Sequence, residues 1–424
     1  MYRRLLSIFV AGMLGLHILF FWHVRSQVRQ GYADFTIFYA AGKTVRSGLG
    51  RSLYDARTQY SAQREFAGDV QIRQGPLPYN HPPFEALLFL PLTFLPYGYA
   101  FLTWDAVNLA LLLVVHRILR RRFLVLHGVA PWQWLVGLLA WYPVFITLVQ
   151  GQDSIVLLLF YVLAFEELER KADFSAGCWL GLGVFRPQLI VPMVLILFLG
   201  KRRRVAGGAV VVSVALTLVS AAVVGWSGLI HYPLYVWRLE RGGGGGAIPP
   251  GLMANVRGLA ETLLGGVVAP GMTLALTLVA SAILLWFAVD SARVANAAFD
   301  LKFALALVVT LLVSYHSYAY DWCLLVLPVV AVTEQGLRSR EGSLTEKMTP
   351  MLPVIPLLIS PVFLILWLRW HNLSLLAVPL LLWLWAIRRE ISRTGSASPP
   401  NQGKTPLNDT ELQSSTGKAI PGLT

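Results

Sequence analysis

The chain has 424 residues, of which 56% are hydrophobic and 13% charged, with a formal net charge of +13 and a mean hydropathy of +0.61. A soluble globular domain is nearer half apolar and a quarter charged, so this composition excludes a string of soluble domains and indicates a polytopic membrane protein with one membrane domain. The positive charge does not call for nucleic acid, because Lys and Arg gather at the ends of apolar runs, as cytoplasmic anchors do.

Arg3 and Arg4 put the N-terminus inside, so the first apolar run, residues 5–24, leads outward. It has the length a bilayer requires and no small-residue cleavage site before Arg25, which reads as a retained anchor. The polar stretch of about residues 25–80 then faces the outside. Within it, Phe35, Phe38, Tyr39 and Gly42 follow helical spacing and predict a helix over residues 34–45; a second helix is expected over residues 58–68. Pro82 and Pro83 open an apolar run at residues 84–95 whose only charge is Glu85. A longer helix over residues 99–116 ends at Arg117, Arg120, Arg121 and Arg122. With that basic cluster inside, residues 84–95 are expected to form a re-entrant or tilted half-span.

Residues 131–149 are expected to run outward and residues 154–165 to return, leaving Gln150, Gly151, Gln152 and Asp153 at the outer face. Residues 174–200 are apolar except around Arg186 and Gln188, and read as one broken helix or a tight hairpin. Lys201 to Arg204 mark the inside, and residues 205–224 cross outward to a second outer loop at about residues 225–265. That loop holds five consecutive glycines, Gly242 to Gly246, which suit a loop able to close over a ligand. Residues 270–289 return; residues 303–313 and 322–332 flank a polar aromatic insertion at residues 314–321. Residues 334–347 read as a charged inner loop, followed by a last pair at residues 351–368 and 375–387. The expected architecture is an all-α membrane domain over residues 1–390, with about ten to twelve transmembrane or re-entrant helices. A disordered cytoplasmic tail, residues 391–424, completes it, and no internal repeat is found.

Asp34, His81, Gln150, Gln152, Asp153, Arg186, Arg257, His316 and Asp321 all fall on the outer side or in the bilayer. Arg186 is the most costly, since a central arginine costs roughly 2.5–3.5 kcal/mol on insertion scales. It reads as a clamp for an anionic phosphate or as a salt-bridged structural residue. Asp34 is the candidate base, with the alternative that it caps the helix at Phe35; Asp153 is a candidate cap for the helix at Ser154. Asp34, His81, His316 and Asp321 fit no metal-ligand spacing, and neither metal nor cofactor is expected. No phosphate-binding or dinucleotide fingerprint supports a nucleotide donor.

In order along the chain stand Asp34-Phe35, Tyr39 to Gly42, Leu53-Tyr54-Asp55, Tyr79 to Pro83, Trp104 with Asn108, and Gly151-Gln152. Arg186-Pro187-Gln188, Asn255 to Gly258 and Ser314 to Asp321 follow. This succession, over about residues 30–335, resembles glycosyltransferase family 87. The departures are Arg186 where the family usually has Lys, Val256 directly after Asn255, and Tyr315-His316 where many members have Pro and a small residue. The resemblance implies a GT-C-like helical bundle in the cell membrane, using a polyprenyl-phosphate sugar, typically mannose, on the outer side. It implies a glycolipid or glycan acceptor and membrane lipids as partners, and no nucleic acid. It implies Asp34 as catalytic base in an inverting displacement, with Tyr79, His81, Gln152, Arg186, Gln188, Asn255, Arg257, His316 and Asp321 binding substrate. The competing readings are a transporter or flippase of lipid-linked sugars and a noncatalytic subunit of an envelope glycan complex. Against the first stands the missing repeat; in favour of an enzyme stands the long first outer loop.

Overall fold

A computed structural model describes residues 2–68, 75–240, 249–338 and 348–396, and these form helices and no named strand. The protein is an all-α polytopic membrane protein. Among the described residues four helices are long and apolar enough to cross a bilayer, Arg4–Arg29, Tyr97–Arg122, Arg203–Leu239 and Pro270–Arg293. Two bent pairs raise the number to six if each is one span. Most of the expected apolar segments are present as helices, but several are too short to cross alone. The reason is internal packing: Phe299–Val313 is buried along nearly its whole length, so its neighbours rather than lipid surround it.

Helix α1 (Tyr2–Arg29) is followed by the short helices α2 (Phe35–Arg46) and α3 (Ala56–Arg64). Helix α3 starts earlier and stops sooner than expected. Asp55 caps it, accepting from the Thr58 amide at 2.9 Å, and this satisfies one of its unpaired N-terminal donors. Residues 83–94 form a short broken helical segment below spanning length, as the half-span reading required. Helix α4 (Tyr97–Arg122) runs about 39 Å at 1.5 Å per residue, from the outer-loop elements to the basic end.

The expected single crossing at residues 131–149 is two helices, α5 (Pro131–Leu139) and α6 (Tyr142–Gln150), bent by 80°. Pro143 accounts for it: in a continuous helix it could not donate to the carbonyl of Leu139 and its ring would clash there, and the chain breaks at Trp141, which is extended. Helix α7 (Ser154–Glu169) leads back to the basic end. Residues 174–200 are a hairpin: α8 (Asp173–Leu182) and α9 (Pro187–Leu199) meet at their far ends, where Arg202 donates to Leu168 O and Asp173 Oδ1. Arg186 stands at the hairpin's tip.

Helix α10 (Arg203–Glu240) carries a break at Gly225, φ 75°, and continues beyond it. Residues 226–239 are therefore helix where an outer loop was expected, and the five glycines lie outside the described residues. Helices α8 and α10 touch through small residues. A Cβ on Gly177 would meet Val205 O at 2.0 Å, and one on Gly208 would meet Phe174 O at 2.0 Å. Close backbone approach is what holds helices together where lipid offers no hydrophobic drive.

The chain closes with α11 (Val256–Leu264), α12 (Pro270–Arg293), α13 (Phe299–Val313), α14 (Val326–Arg338), α15 (Ser360–Trp370) and α16 (Ala377–Ser396). Two expectations shift here. Residues 334–338 continue α14 rather than starting a loop, with residues 339–347 outside the described set. Residues 391–396 belong to α16 rather than to the expected tail, and residues 397–424 lie outside the described set.

Candidate active site

The site begins at a turn. Helix α6 ends at Gly151 in the left-handed region, φ 62°. A side chain there would be strained and would also strike Phe35, whose Cβ lies 2.7 Å from the position of an added Cβ. Glycine lets the turn press against the start of α2, so Gln150 and Gln152 flank Asp34. Gln150 Oε1 accepts from the Asp34 amide at 3.0 Å, and Gln152 Nε2 donates to Asp34 Oδ2 at 2.6 Å. Asp34 makes no side-chain cap to α2; its carboxylate is held from across the molecule instead.

Gln152 is oriented in turn by Arg186, whose Nη2 donates to Gln152 Oε1 at 2.5 Å and to Asp153 Oδ1 at 2.6 Å. Asp153 likewise makes no cap to α7; it serves as the counter-ion of Arg186. Asp321 stands on the other side, 3.7 Å from Arg186 Nη1, accepting from Ser154 Oγ and the Tyr318 amide. The guanidinium also lies 5.3 Å from the Tyr320 ring centroid. Gln152, Asp153, Arg186 and Asp321 are all 3% exposed or less. Charges that deep persist only when paired and hydrogen-bonded.

His81 joins the same network through Glu85, Nδ1 lying 2.8 Å from Oε2. His81, Glu85 and Asp153 each offer one ligand atom within 4.8 Å of the others. Glu85 Oε1 and Asp153 Oδ2 are buried without a hydrogen-bond partner among the described residues. Two such oxygens require a shared proton or a cation between them. Glu85 was not among the sequence candidates. The signal was available, since it is the one charge in an apolar run and stands four residues after His81.

The remaining candidates have other duties or sit further out. Tyr79 is buried, its hydroxyl donating to Pro82 O, its ring stacked on His81. Asn255 caps α11 by accepting from Gly258 N, and donates to Ser314 O; it ties residues 314–321 to α11. Arg257 donates to Tyr315 O and covers the Tyr315 ring at 3.8 Å. His316 is half-buried, edge-on to Tyr318. Gln188 lies in the first turn of α9 beside Arg186. The structure thus joins Asp34, Gln152, Arg186, Asp321 and His81 in one network and sets Asn255, Arg257 and His316 on the adjoining segment.

Depth follows from helix lengths. Helix α7 ends, and helix α13 starts, at the basic end, where Arg122 pairs with Glu169 and with Asp300. They reach the site after 16 and 15 residues, about 22–24 Å at 1.5 Å per residue. That distance is less than the roughly 30 Å of a bilayer's hydrocarbon core.

A family model, glycosyltransferase family 87, matches residues 79–314, more than half of the chain. The chain is also similar to a Mycobacterium tuberculosis (strain CDC 1551 / Oshkosh) protein named polyprenol-phosphate-mannose-dependent alpha-(1-2)-phosphatidylinositol pentamannoside mannosyltransferase. The two are 28% identical over 283 residues, 63% of this chain and 61% of that protein. The chain therefore spans less than two thirds of the length of the curated relative it matches. No solved structure matches it.

Proposed function

This chain belongs to glycosyltransferase family 87, and from that premise we propose that it transfers a hexose, mannose first, from a polyprenyl-phosphate sugar to a lipid- or glycan-linked acceptor. The observation that carries the reading is the Asp34 carboxylate, half-buried and held by Gln152, which Arg186 holds in turn. A base aimed by two partners is preorganised for proton transfer. The relative's name supplies the donor class.

Asp34 takes the proton of an acceptor hydroxyl as that oxygen bonds to the anomeric carbon. The bond from anomeric carbon to phosphate oxygen breaks on the opposite face, and polyprenyl phosphate leaves with the electron pair. The configuration inverts. Arg186 is engaged by Asp153, Gln152 and Asp321, so its part is to position Asp34 through Gln152. The charge that gathers on the departing phosphate falls instead to Arg257, which stands outside the network with its guanidinium on Tyr315. His81, His316 and Gln188 contact sugar or phosphate oxygens, and no metal is needed in this scheme. Arg117 to Arg122 and Lys201 to Arg204 lie at the opposite end from the site, so the positive-inside rule turns the site outward, in the cell membrane.

The test is transfer by the purified, reconstituted protein. Label from polyprenyl-phosphate mannose should reach a membrane-glycolipid extract, and label from a nucleotide-linked mannose should not. Transfer from the nucleotide sugar, or from no donor at all, would overturn the reading.

A further inference from the structure

At the end of α4 away from the site lies a cavity of about 700 Å³, lined by His116, Arg117, Arg120, Arg121, His127 and Pro131. Several arginines of that end are paired with carboxylates. Arg122 pairs with Glu169 and Asp300, Arg202 with Asp173, Arg338 with Glu334, and Arg388 with Asp290. Among the described residues no carboxylate lies within ion-pair distance of Arg117, Arg120 or Arg121. Arg120 only donates to His127 O, which draws the two cavity walls together. Glu169, Asp300, Asp173, Glu334 and Asp290 are already paired, so among the described residues three guanidinium groups face one cavity with no carboxylate to match them. Guanidinium is the group best suited to phosphate oxygens.

A second observation points inward. His116 is 3% exposed, stacks on Trp134 with centroids 5.3 Å apart, and lines the same cavity. Its Nε2 is buried and has no hydrogen-bond partner among the described residues. A buried imidazole nitrogen left unmatched is costly unless a ligand completes it. The surroundings are those of a bilayer interface: Leu113, Val114 and Leu124 are exposed on the apolar side, and Trp132 is 65% exposed at the start of α5. A ligand here would keep its head among the arginines and its chains along α4.

We propose that this cavity binds the phosphate head group of an anionic phospholipid from the leaflet opposite the Asp34 site. Basic pockets between membrane helices are suited to such heads, at about 1 kcal/mol per cation near the surface. The site is separate from the transfer chemistry and does not depend on it.

Native mass spectrometry of the full chain in detergent tests this, with phosphatidylglycerol, phosphatidylcholine and inorganic phosphate as probes. Wild type should retain phosphatidylglycerol in preference to phosphatidylcholine. The triple variant R117A/R120A/R121A should bind it about 100-fold more weakly. The variant R117K/R120K/R121K, which keeps the charges, should retain most of the binding and guards against a misfolded triple alanine. Equal retention of both lipids, or undiminished binding by the alanine variant at an unchanged thermal midpoint, would overturn the proposal. So would displacement of phosphatidylglycerol by millimolar inorganic phosphate, which would mark a free-anion site.

Discussion

The two ends of the bundle handle charge in opposite ways. At the basic end the paired arginines stay partly exposed: Arg170 is paired with Glu166 and Glu167 on one helix face, and its side chain is 62% exposed. At the site end, Arg186 and Asp153 form a pair whose side chains are 3% and 0% exposed. A solvated pair contributes little, because water screens it and two long side chains must be ordered. A buried pair is weak evidence for stability too, since desolvation offsets attraction, yet removing one partner strands the other. Charge placed at such depth is therefore better explained by what it positions than by what it stabilises, and the chain it positions ends at Asp34.

Breaking one pair at each end sharpens this contrast. Arg186→Ala leaves Asp153 uncompensated and should lower stability by roughly 3–5 kcal/mol, read as a fall in thermal midpoint in detergent, with transfer lost. Arg170→Ala should change stability by less than about 1 kcal/mol and leave transfer unaltered. Equal effects would remove the distinction between the ends.

Gly151→Ala is the next largest. It forces a side chain into left-handed backbone and against Phe35, a strain and overpacking of about 1–3 kcal/mol. Because this turn carries Gln150 and Gln152, kcat should fall more than the stability change alone explains. Unchanged kcat in a destabilised variant would separate the turn from the base.

A smaller effect lies in the outer loop. Thr58 donates its amide and hydroxyl to Asp55, and these bonds hold the Asp55 carboxyl below the usual carboxylate range. A lowered folded pKa means the contribution is present above the unfolded value, near 4, and is lost as pH falls through the folded one. Asp55→Ala should cost about 1 kcal/mol at neutral pH, and the difference from wild type should shrink below about pH 4. A difference independent of pH would show that the cap does not act through the ionised group.

Much of the architecture was legible in hydropathy and spacing. Helix α2 starts one residue from its expected position, and the half-span at residues 83–94 followed from the basic cluster on α4. The misses share a cause: a sequence window shows composition but not where a helix bends or continues. Pro143 bends an apolar run that reads as one span, and residues 226–239 remain helical beyond Gly225 although they read as loop. The site was half legible. Polar residues in apolar surroundings flagged Arg186, Asp321 and Gln152, because burying them demands a reason. Their pairing could not be read, since Asp34 meets Gln152 across 118 positions and Arg186 meets Asp153 across 33. Asn255, which reads as a substrate contact, also acts as a cap and a strut.

The account stands on Asp34 as the base. The most direct measurement is single-turnover mannosyl transfer from polyprenyl-phosphate mannose by reconstituted wild type and Asp34→Asn, at matched thermal midpoints. The asparagine keeps the shape and a contact to Gln152 but cannot take a proton, so the rate should fall by about 10²–10⁴. A rate within a few-fold of wild type would contradict the assignment and move the base elsewhere in the network.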